Sequence, residues 1–218
     1  MSSIPVLYIR SFLFWIGFIV NPLVFGTLVI LLFFLPSSVR LKVARSWSQV
    51  NNVLLRIFCG IDYQVEGVEN LEIDTAIVLS KHQSTWETFF FPSYTSHPLA
   101  YVFKQELLRI PIFGWCMGRL KMIHIDRAAR ANAWNKVAEQ GLELMDRGKW
   151  VIMFPEGTRS ERGEKGSYKT GASRLAVATG AYIVPIAVTS ARCWPRRSFS
   201  FIPGVVDVSI GQPLSSVG

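Results

Sequence analysis

Ala76-Ile77-Val78-Leu79 is a short apolar run that is followed, after Ser80, by Lys81-His82-Gln83-Ser84-Thr85-Trp86-Glu87. The apolar run predicts a buried strand, and residues 87–91 predict the start of a helix. His82 is therefore expected where a strand ends, with a carboxylate five residues further on. Because neighbours on a helix face are three or four residues apart, the two side chains can meet only if His82 lies in the turn before the helix.

The spacing of His82 and Glu87 has two interpretations. In the first, the carboxylate holds one ring nitrogen of the histidine and leaves the other free to take a proton, as in the histidine–carboxylate half of a catalytic triad. A substrate hydroxyl would then take the place of the serine. In the second, Ser84-x-x-Glu87 is a capping box, and Glu87 serves only the start of the helix. This stretch alone leaves both interpretations open.

The composition is apolar for a soluble protein. Of the 218 residues, 50% are hydrophobic and only 17% are charged, and the formal net charge is +8. The first 60 residues carry five basic side chains and no Asp or Glu. A basic, apolar segment without acids favours an anionic membrane surface over nucleic acid as a partner. The three cysteines are far apart, and they predict neither a metal site nor a disulfide framework.

The N-terminal segment has the features of a membrane-associating motif. Residues 11–36 carry no charge and exceed the roughly 20 apolar residues that span a bilayer, but Gly17, Asn21-Pro22 and Gly26 are expected to interrupt a helix there. Residues 39–58 predict a second, amphipathic helix. Basic residues flank the apolar run on both sides, so two arrangements stay open. One is a spanning helix with its C-terminal side in the cytoplasm, and the other is a helical hairpin in one leaflet.

From residue 61 onward, predicted strands alternate with predicted helices. The expected strands are 61–65, 76–79, 100–103, 122–125, 151–154, 183–188 and 205–210. The clearest helix is 128–147. We therefore predict a membrane-associating helical motif over residues 1–60 and an α/β domain over residues 61–218, with a largely parallel sheet flanked by helices. Ligands bind at the carboxyl ends of strands in such sheets, so His82 should open onto that edge.

A second polar motif, Phe154-Pro155-Glu156-Gly157-Thr158-Arg159-Ser160, follows the predicted strand 151–154. Pro155 ends the strand, and Gly157 permits an unusual turn or the close approach of a ligand to the backbone. Arg159 offers a fork of donors that suits a phosphate, and Thr158 adds a hydroxyl. The alternative is a polar turn in which Glu156 pairs with Arg159.

These motifs resemble those of the 1-acyl-glycerol-3-phosphate acyltransferases, the lysophosphatidic acid acyltransferase family. The resemblance is carried first by His82-x4-Glu87 and by Glu156-Gly157-Thr158-Arg159. Residues 118–127, which end in Ile125-Asp126-Arg127, are similar to the second block of the family, and Ile183-Val184-Pro185-Ile186 is similar to the fourth. The blocks follow in family order over residues 81–188. In one departure, this chain has Glu87 where the common family pattern has Asp.

The resemblance implies an acyl transfer from acyl-CoA or an acyl-carrier protein to the sn-2 hydroxyl of lysophosphatidic acid, which gives phosphatidic acid. It implies that His82 is the general base, that Glu87 orients it, and that no covalent acyl-enzyme forms. Backbone N–H groups near Gly157, or at the helix start after His82, are candidate oxyanion donors. Lys104, a basic residue close to a predicted strand end, is a further candidate for binding the substrate. The expected substrate-binding residues are Lys104, Arg127, Glu156, Gly157, Thr158 and Arg159.

The implied partners are membrane phospholipids, lysophosphatidic acid and the acyl donor, with no nucleic acid, no metal and no prosthetic group. The implied location is the cytoplasmic face of a bacterial inner membrane. One alternative is an acyltransferase for another lysolipid or for glycerol-3-phosphate. An alternative of another class is a non-catalytic membrane protein that binds lipid, but such a protein needs no general base.

Overall fold

The computed structural model describes residues 4–126 and 131–216, and it begins with a helical hairpin. Helix α1 (Ile4–Leu31) is followed by α2 (Ser37–Leu54), and one π-helical turn (Leu55–Cys59) extends α2. Gly60 then ends the helix in the left-handed conformation, with φ 65°, which glycine adopts without strain. The predicted helix over residues 39–58 is therefore present as α2 and its π-helical extension.

The remaining elements alternate along the chain. The strands are β1 (Ile61–Glu66), β2 (Ala76–Ser80), β3 (Leu99–Lys104), β4 (Ile123–Ile125), β5 (Trp150–Met153), β6 (Tyr182–Val188) and β7 (Gly204–Ile210). The longer helices are α3 (Glu87–Tyr94), α4 (Phe113–Arg119), α5 (Ala131–Met145) and α6 (Gly171–Thr179). The seven predicted strands match these within one residue at each end. The predicted helix over 128–147 corresponds to α5, and its first residues lie outside the described ranges.

The strands form one sheet in the order β1-β7-β6-β2-β5-β3-β4. Strands β6, β2, β5, β3 and β4 pair in parallel, whereas β6 and β7 are antiparallel. Strand β1 is parallel to β7, so these two strands run against the other five. The sheet is thus mixed but mostly parallel, as predicted.

Helices cover both faces of the sheet. Successive side chains of a strand point to opposite faces, and the fully buried pair Ile77 and Val78 belongs to two different core clusters. Val78 packs in the cluster that includes residues of α1 and α3, and Ile77 packs in the cluster that includes residues of α5 and α6. The predicted α/β arrangement with flanking helices is therefore confirmed. The division of the chain at residue 60 stays a prediction.

Helix α1 runs without a break through Gly17, Pro22 and Gly26, so the expected interruption is wrong. The small residues lie at close contacts between elements. A Cβ atom at Gly17 would lie 2.9 Å from Leu54 Cδ1, and one at Gly26 would lie 2.9 Å from Ile112 Cγ2. The glycines therefore let neighbouring side chains approach the helix closely. Packing against the rest of the chain maintains the helix where propensity alone predicts a break.

One face of α1 packs on the domain along its length, and the opposite face is apolar and exposed. Phe14 is fully buried against Trp194 and Phe201, and Trp15 Nε1 donates to the Phe199 carbonyl at 2.9 Å. The helix is long and apolar enough to cross a membrane, with a mean hydropathy of 2.1 over its most apolar window. Its exposed face includes Ile9, Phe12, Leu13, Ile16, Ile19, Val20, Val24 and Leu28.

Two buried asparagines join the helices of the hairpin. Asn21 Nδ2 donates to Asn51 Oδ1 at 3.0 Å and to the Trp47 carbonyl at 3.3 Å. Asn51 is completely buried, and its own Nδ2 also donates to the Trp47 carbonyl, at 3.1 Å. A buried polar pair of this kind is stabilising only while both partners are present. If one partner is removed, the other stays buried without a hydrogen bond to replace its lost hydration.

Replacing Asn21 should therefore destabilise the hairpin. We expect Asn21→Ala to lower the free energy of unfolding by about 1–3 kcal/mol, since it leaves Asn51 Oδ1 buried without this donor. Thermal unfolding in mild detergent measures the change. The control is Ile19→Ala on the same helix, whose side chain is 60% exposed and should be replaced at little cost. Equal unfolding temperatures for the two variants would contradict this account of the hairpin.

Candidate active site

The two polar motifs meet at the carboxyl edge of the sheet. Strands β2 and β5 are parallel neighbours, with Leu79 opposite Met153, so the segments that follow them leave the sheet side by side. The Ser160 backbone N–H donates to the His82 carbonyl at 2.8 Å, and the Ser160 hydroxyl donates to the same oxygen at 3.2 Å. These bonds fix the distance between the motif around Arg159 and the histidine.

The His82 and Glu87 side chains are in contact. His82 Nδ1 lies 3.2 Å from Glu87 Oε2, and the Glu87 side chain is fully buried. The same carboxylate accepts backbone hydrogen bonds from Ser84, at 3.0 and 3.1 Å, and from Gln83 at 3.2 Å. Glu87 therefore both holds the histidine and accepts hydrogen bonds at the helix start, so a capping role alone does not describe it.

The contacts of the His82 ring leave one ring nitrogen without a protein partner in the site. Nδ1 faces Glu87, and the ring stacks on Phe154 with 4.0 Å between ring centroids and 17° between planes. Because Nδ1 and one face of the ring are engaged, Nε2 is the ring nitrogen left to accept a proton. The side chain is 14% exposed and lines a large cavity, so a bound molecule can reach it.

Two further residues position Glu87, and the sequence interpretation missed both. The Ser190 hydroxyl, which is fully buried, donates to Glu87 Oε1. The Tyr101 hydroxyl donates to the backbone carbonyls of Glu87 at 3.3 Å and Thr88 at 3.0 Å. Burial, with the nearby Glu87 charge, raises the pKa of Tyr101 well above its usual range, so the phenol keeps the proton that it donates. Ser190 follows β6, which is the neighbour of β2 in the sheet. Its contact with Glu87 could therefore have been predicted only from the strand order.

Glu156 pairs with Lys81, the residue next to His82. Its Oε1 lies 3.5 Å from Lys81 Nζ, and Lys81 also donates to the Glu164 carbonyl at 3.2 Å. Glu156 is 5% exposed, and a Cβ at Gly166 would lie 2.7 Å from its Cγ, so the segment after the motif covers it closely. The proposed pairing of Glu156 with Arg159 is not the ion pair that forms. Lys81 instead balances this buried charge.

Arg159 is half-buried and lines the same cavity as His82. Burial lowers the pKa of its guanidinium, and the nearby Glu87 carboxylate opposes that effect. An arginine nevertheless stays charged at neutral pH. A partly desolvated guanidinium at a cavity wall is suited to bind an anion such as a phosphate.

The backbone amides of Gly157, Gln83 and Ser84 are engaged elsewhere, so an oxyanion donor among the other amides near Gly157 or at the helix start stays a prediction. The Gly157 N–H closes a turn by donating to the Phe154 carbonyl at 2.9 Å, with Gly157 at φ 67°. The Gln83 and Ser84 amides donate to Glu87. Glycine at position 157 therefore serves the geometry of the turn, which sets the direction in which Thr158 and Arg159 leave the strand.

The remaining candidates lie at neighbouring strand ends. Lys104 ends β3, the neighbour of β5, and its exposed side chain lines the cavity that His82 and Arg159 also line. Thr158 is exposed and lines that cavity as well. Arg127 lies outside the described residues, so its role stays a prediction. Among residues 4–126 and 131–216, no cluster of three His, Cys, Asp or Glu side chains could hold a metal ion.

The cavity connects the polar site with the membrane-associating hairpin. It has a volume of about 2150 Å³, larger than the ~300–1,000 Å³ of ordinary small-molecule pockets. His82, Arg159 and Lys104 line it together with apolar residues of both hairpin helices and of the region around α4. These apolar lining residues include Phe25, Val29, Leu41, Ile112, Met117 and Leu120. The volume and the apolar wall suit a long hydrocarbon chain beside a polar headgroup.

A histidine held by a buried carboxylate, a half-buried arginine and a large apolar cavity fit an acyltransferase that acts on a lipid, and comparison with known proteins agrees. A family model described as Acyltransferase matches residues 62–189. The 1-acyl-sn-glycerol-3-phosphate acyltransferase of Pseudomonas aeruginosa is 39% identical over 212 residues, which cover 96% of this chain and 82% of that protein. The chain belongs to the acyltransferase family, and the resemblance found in its motifs is confirmed.

Two more distant similarities agree with this assignment. The 1-acyl-sn-glycerol-3-phosphate acyltransferase of Saccharomyces cerevisiae is 32% identical over 168 residues, which cover 75% of this chain and 55% of the yeast protein. The crystal structure of the 1-acyl-sn-glycerophosphate acyltransferase PlsC from Thermotoga maritima superposes with a TM-score of 0.77 at 27% identity. That match covers 96% of this chain and 86% of the Thermotoga chain, so it includes both the hairpin and the sheet.

Glu87→Asp tests how closely the carboxylate must be placed. Shortening the side chain by one methylene withdraws the carboxylate by roughly 1.5 Å from His82 and Ser190 on this backbone. We expect the rate of acyl transfer to fall by about 10- to 100-fold, because such a displacement loosens the orientation of the base. The measurement is the initial rate with an acyl thioester donor.

The matched control is Glu139→Asp, the same substitution at an exposed position of α5. It should leave the rate unchanged. A Glu87→Asp enzyme as fast as the wild type would mean that the carboxylate position seen here is not needed, and that the Asp of the common family pattern fits this backbone equally well.

Proposed function

We propose that this protein is a 1-acyl-sn-glycerol-3-phosphate acyltransferase. It transfers an acyl chain from acyl-CoA or an acyl-carrier protein to the sn-2 hydroxyl of lysophosphatidic acid, and the product is phosphatidic acid. The observation that carries the proposal is the His82–Glu87 contact at 3.2 Å, with the other ring nitrogen free at a cavity that Arg159 also lines. The similarity to relatives of that name supports the choice of substrates.

In the proposed reaction, His82 is the general base. Nε2 takes the proton of the sn-2 hydroxyl while the oxygen attacks the thioester carbonyl carbon. The tetrahedral intermediate then collapses, the carbon–sulfur bond breaks, and the imidazolium returns its proton to the leaving thiolate. Glu87 stabilises the transient positive charge on the ring and holds the Nδ1–H tautomer. The acyl group passes directly to the acceptor, with no acyl-enzyme.

The acceptor is held by its charge at one end and by its hydrocarbon chain at the other. Arg159 takes the phosphate, and Lys104 contributes a second positive charge from the neighbouring strand end. Glu156 acts through Lys81, since a carboxylate repels a phosphate and its charge is balanced by that lysine. The hydrocarbon chain lies in the apolar part of the cavity, between the hairpin and α4.

The hairpin supports a location of this site at a lipid surface. One face of α1 packs on the domain from Ser11 to Val29, whereas the opposite face presents apolar side chains. A helix bound to the domain along its length favours insertion into one leaflet over a spanning orientation. We propose the cytoplasmic face of a bacterial membrane, where both acyl donors are present. Withdrawing a lipid chain into water would cost about 0.8 kcal/mol per CH₂, and a site at the interface avoids this cost.

His82→Ala tests the proposed chemistry. We expect thiol release from acyl-CoA with lysophosphatidic acid to fall by about 10²–10⁴-fold, the usual contribution of a general base. His124→Ala, on the edge strand β4, is the matched control and should retain the wild-type rate. Full activity in the His82→Ala variant would refute the mechanism. Wild-type protein that binds lysolipid without releasing thiol would instead support a lipid-binding protein.

Chemical labelling tests the one-leaflet arrangement. In oriented sealed vesicles, a membrane-impermeant maleimide should label Ile4→Cys and Lys165→Cys from the same side, because the hairpin returns α1 to the domain. Both positions are exposed. Labelling of Ile4→Cys only from the side opposite to Lys165→Cys would show that α1 spans the bilayer.

A further inference from the structure

The segment between β6 and β7 is anchored to helix α1 beside the active site. Trp194 is 4% exposed and packs edge-on against Phe14, with 5.7 Å between ring centroids. The Phe201 backbone N–H donates to Ser11 Oγ at 3.1 Å, and Ile202 N–H donates to the Cys193 carbonyl at 2.8 Å. These contacts hold both ends of the segment and fix the turn between them.

That turn presents two arginines to the catalytic cavity. Arg196 and Arg197 line the same cavity as His82 and Arg159. The Ser198 N–H closes the turn on the Pro195 carbonyl at 3.1 Å, and Arg197 has φ 60°, a left-handed conformation that is uncommon for a residue with a side chain. Such backbone strain persists where the surrounding structure imposes it, and it occurs often at ligand sites.

Glu87 is a nearby acid that acts on Arg159, and its carboxylate is already hydrogen-bonded to His82 and Ser190. Arg196 is close enough to Arg159 to lower the pKa of that guanidinium. Within the described ranges, neither of these two arginines, nor Arg197, forms an ion pair with a carboxylate. Glu156 is paired with Lys81. Positive charges held close together without ion-pair partners among the described residues indicate a site for an anion of more than one charge.

We propose that Arg196, with Arg197 beside it, completes the acceptor site opposite Arg159 and selects a lysolipid whose phosphate is a monoester. This inference rests on the proposed function and names a residue that determines its specificity. A phosphomonoester carries close to two negative charges at neutral pH and has three terminal oxygens. One guanidinium fork binds two of them, which leaves a third oxygen for Arg196 and a second negative charge that Arg196 shares with Lys104. A phosphodiester lysolipid has one charge, two terminal oxygens and a headgroup in the way.

The test compares acceptor and donor kinetics of Arg196→Ala. We expect the KM for lysophosphatidic acid to rise by about 10- to 100-fold, because a charge-assisted hydrogen bond is lost. The kcat and the KM for the acyl donor should change by no more than about twofold. Arg196→Lys should recover part of the loss, since it restores the charge but not the fork.

Arg192→Ala is the matched control in the same segment. Arg192 pairs with Asp207 at 3.6 Å and does not line the cavity, so its removal should leave both KM values unchanged. If Arg196→Ala raises the KM for the donor and not for the acceptor, the arginines serve the donor phosphates and the proposal is wrong. Unchanged KM values for both substrates would also overturn it.

A binding measurement separates this inference from the proposed function. A lysophosphatidic acid analogue without the sn-2 hydroxyl, and a phosphodiester lysolipid without it, are titrated in mixed micelles. Wild type should prefer the monoester, and Arg196→Ala should lose most of that preference at an unchanged unfolding temperature. Should Arg196→Ala unfold, Arg196→Gln replaces it. If wild type and variant prefer the monoester to the same extent, the inference is wrong. If the wild type binds the monoester but does not acylate lysophosphatidic acid, only the proposed function is wrong.

Discussion

The buried carboxylate of Glu87 is the constraint on which the site depends. Removing an ionised carboxylate from water costs several kcal/mol unless hydrogen bonds replace the lost hydration. Glu87 is fully buried, and its oxygens are met by the amides of Gln83 and Ser84, the Ser190 hydroxyl and the His82 ring. These donors come from the turn after β2 and from the residues after β6. The hydrogen bonds to the Glu87 carboxylate therefore fix the relative positions of those two segments and of the histidine.

The remaining parts of the site follow from that anchor. Ser160 donates twice to the His82 carbonyl, so the motif that carries Arg159 is positioned from the histidine and not only from its own strand. Strand order places Lys104 at a neighbouring strand end. The cavity then extends from these polar groups to the hairpin, whose opposite face is apolar and exposed. One cavity thus connects the polar site with the hairpin.

Much of this arrangement could be predicted from local sequence. The strands are short apolar runs bounded by turn residues, and His82 and Glu87 are close in the chain. Ser190 lies 103 residues from Glu87, and Lys81 lies 75 residues from Glu156, so strand order, which the sequence does not state, brings each pair together. The expected break of α1 at Pro22 failed for a similar reason, because contacts with Leu54, Ile112 and Asn51 stabilise the helix from outside its own sequence.

The position of the proton on the His82 ring decides whether this histidine can act as the base. For His82 to act as the base, Nδ1 must carry the proton toward Glu87 and Nε2 must hold a free electron pair. Nitrogen NMR of protein labelled in its three histidines, with His97→Gln and His124→Gln to assign the signals, reports the tautomer at a pH where the ring is neutral. We predict the Nδ1–H form in wild type and its loss in Glu87→Gln. An Nε2–H ring in wild type would contradict the account, because that nitrogen could not then accept the hydroxyl proton.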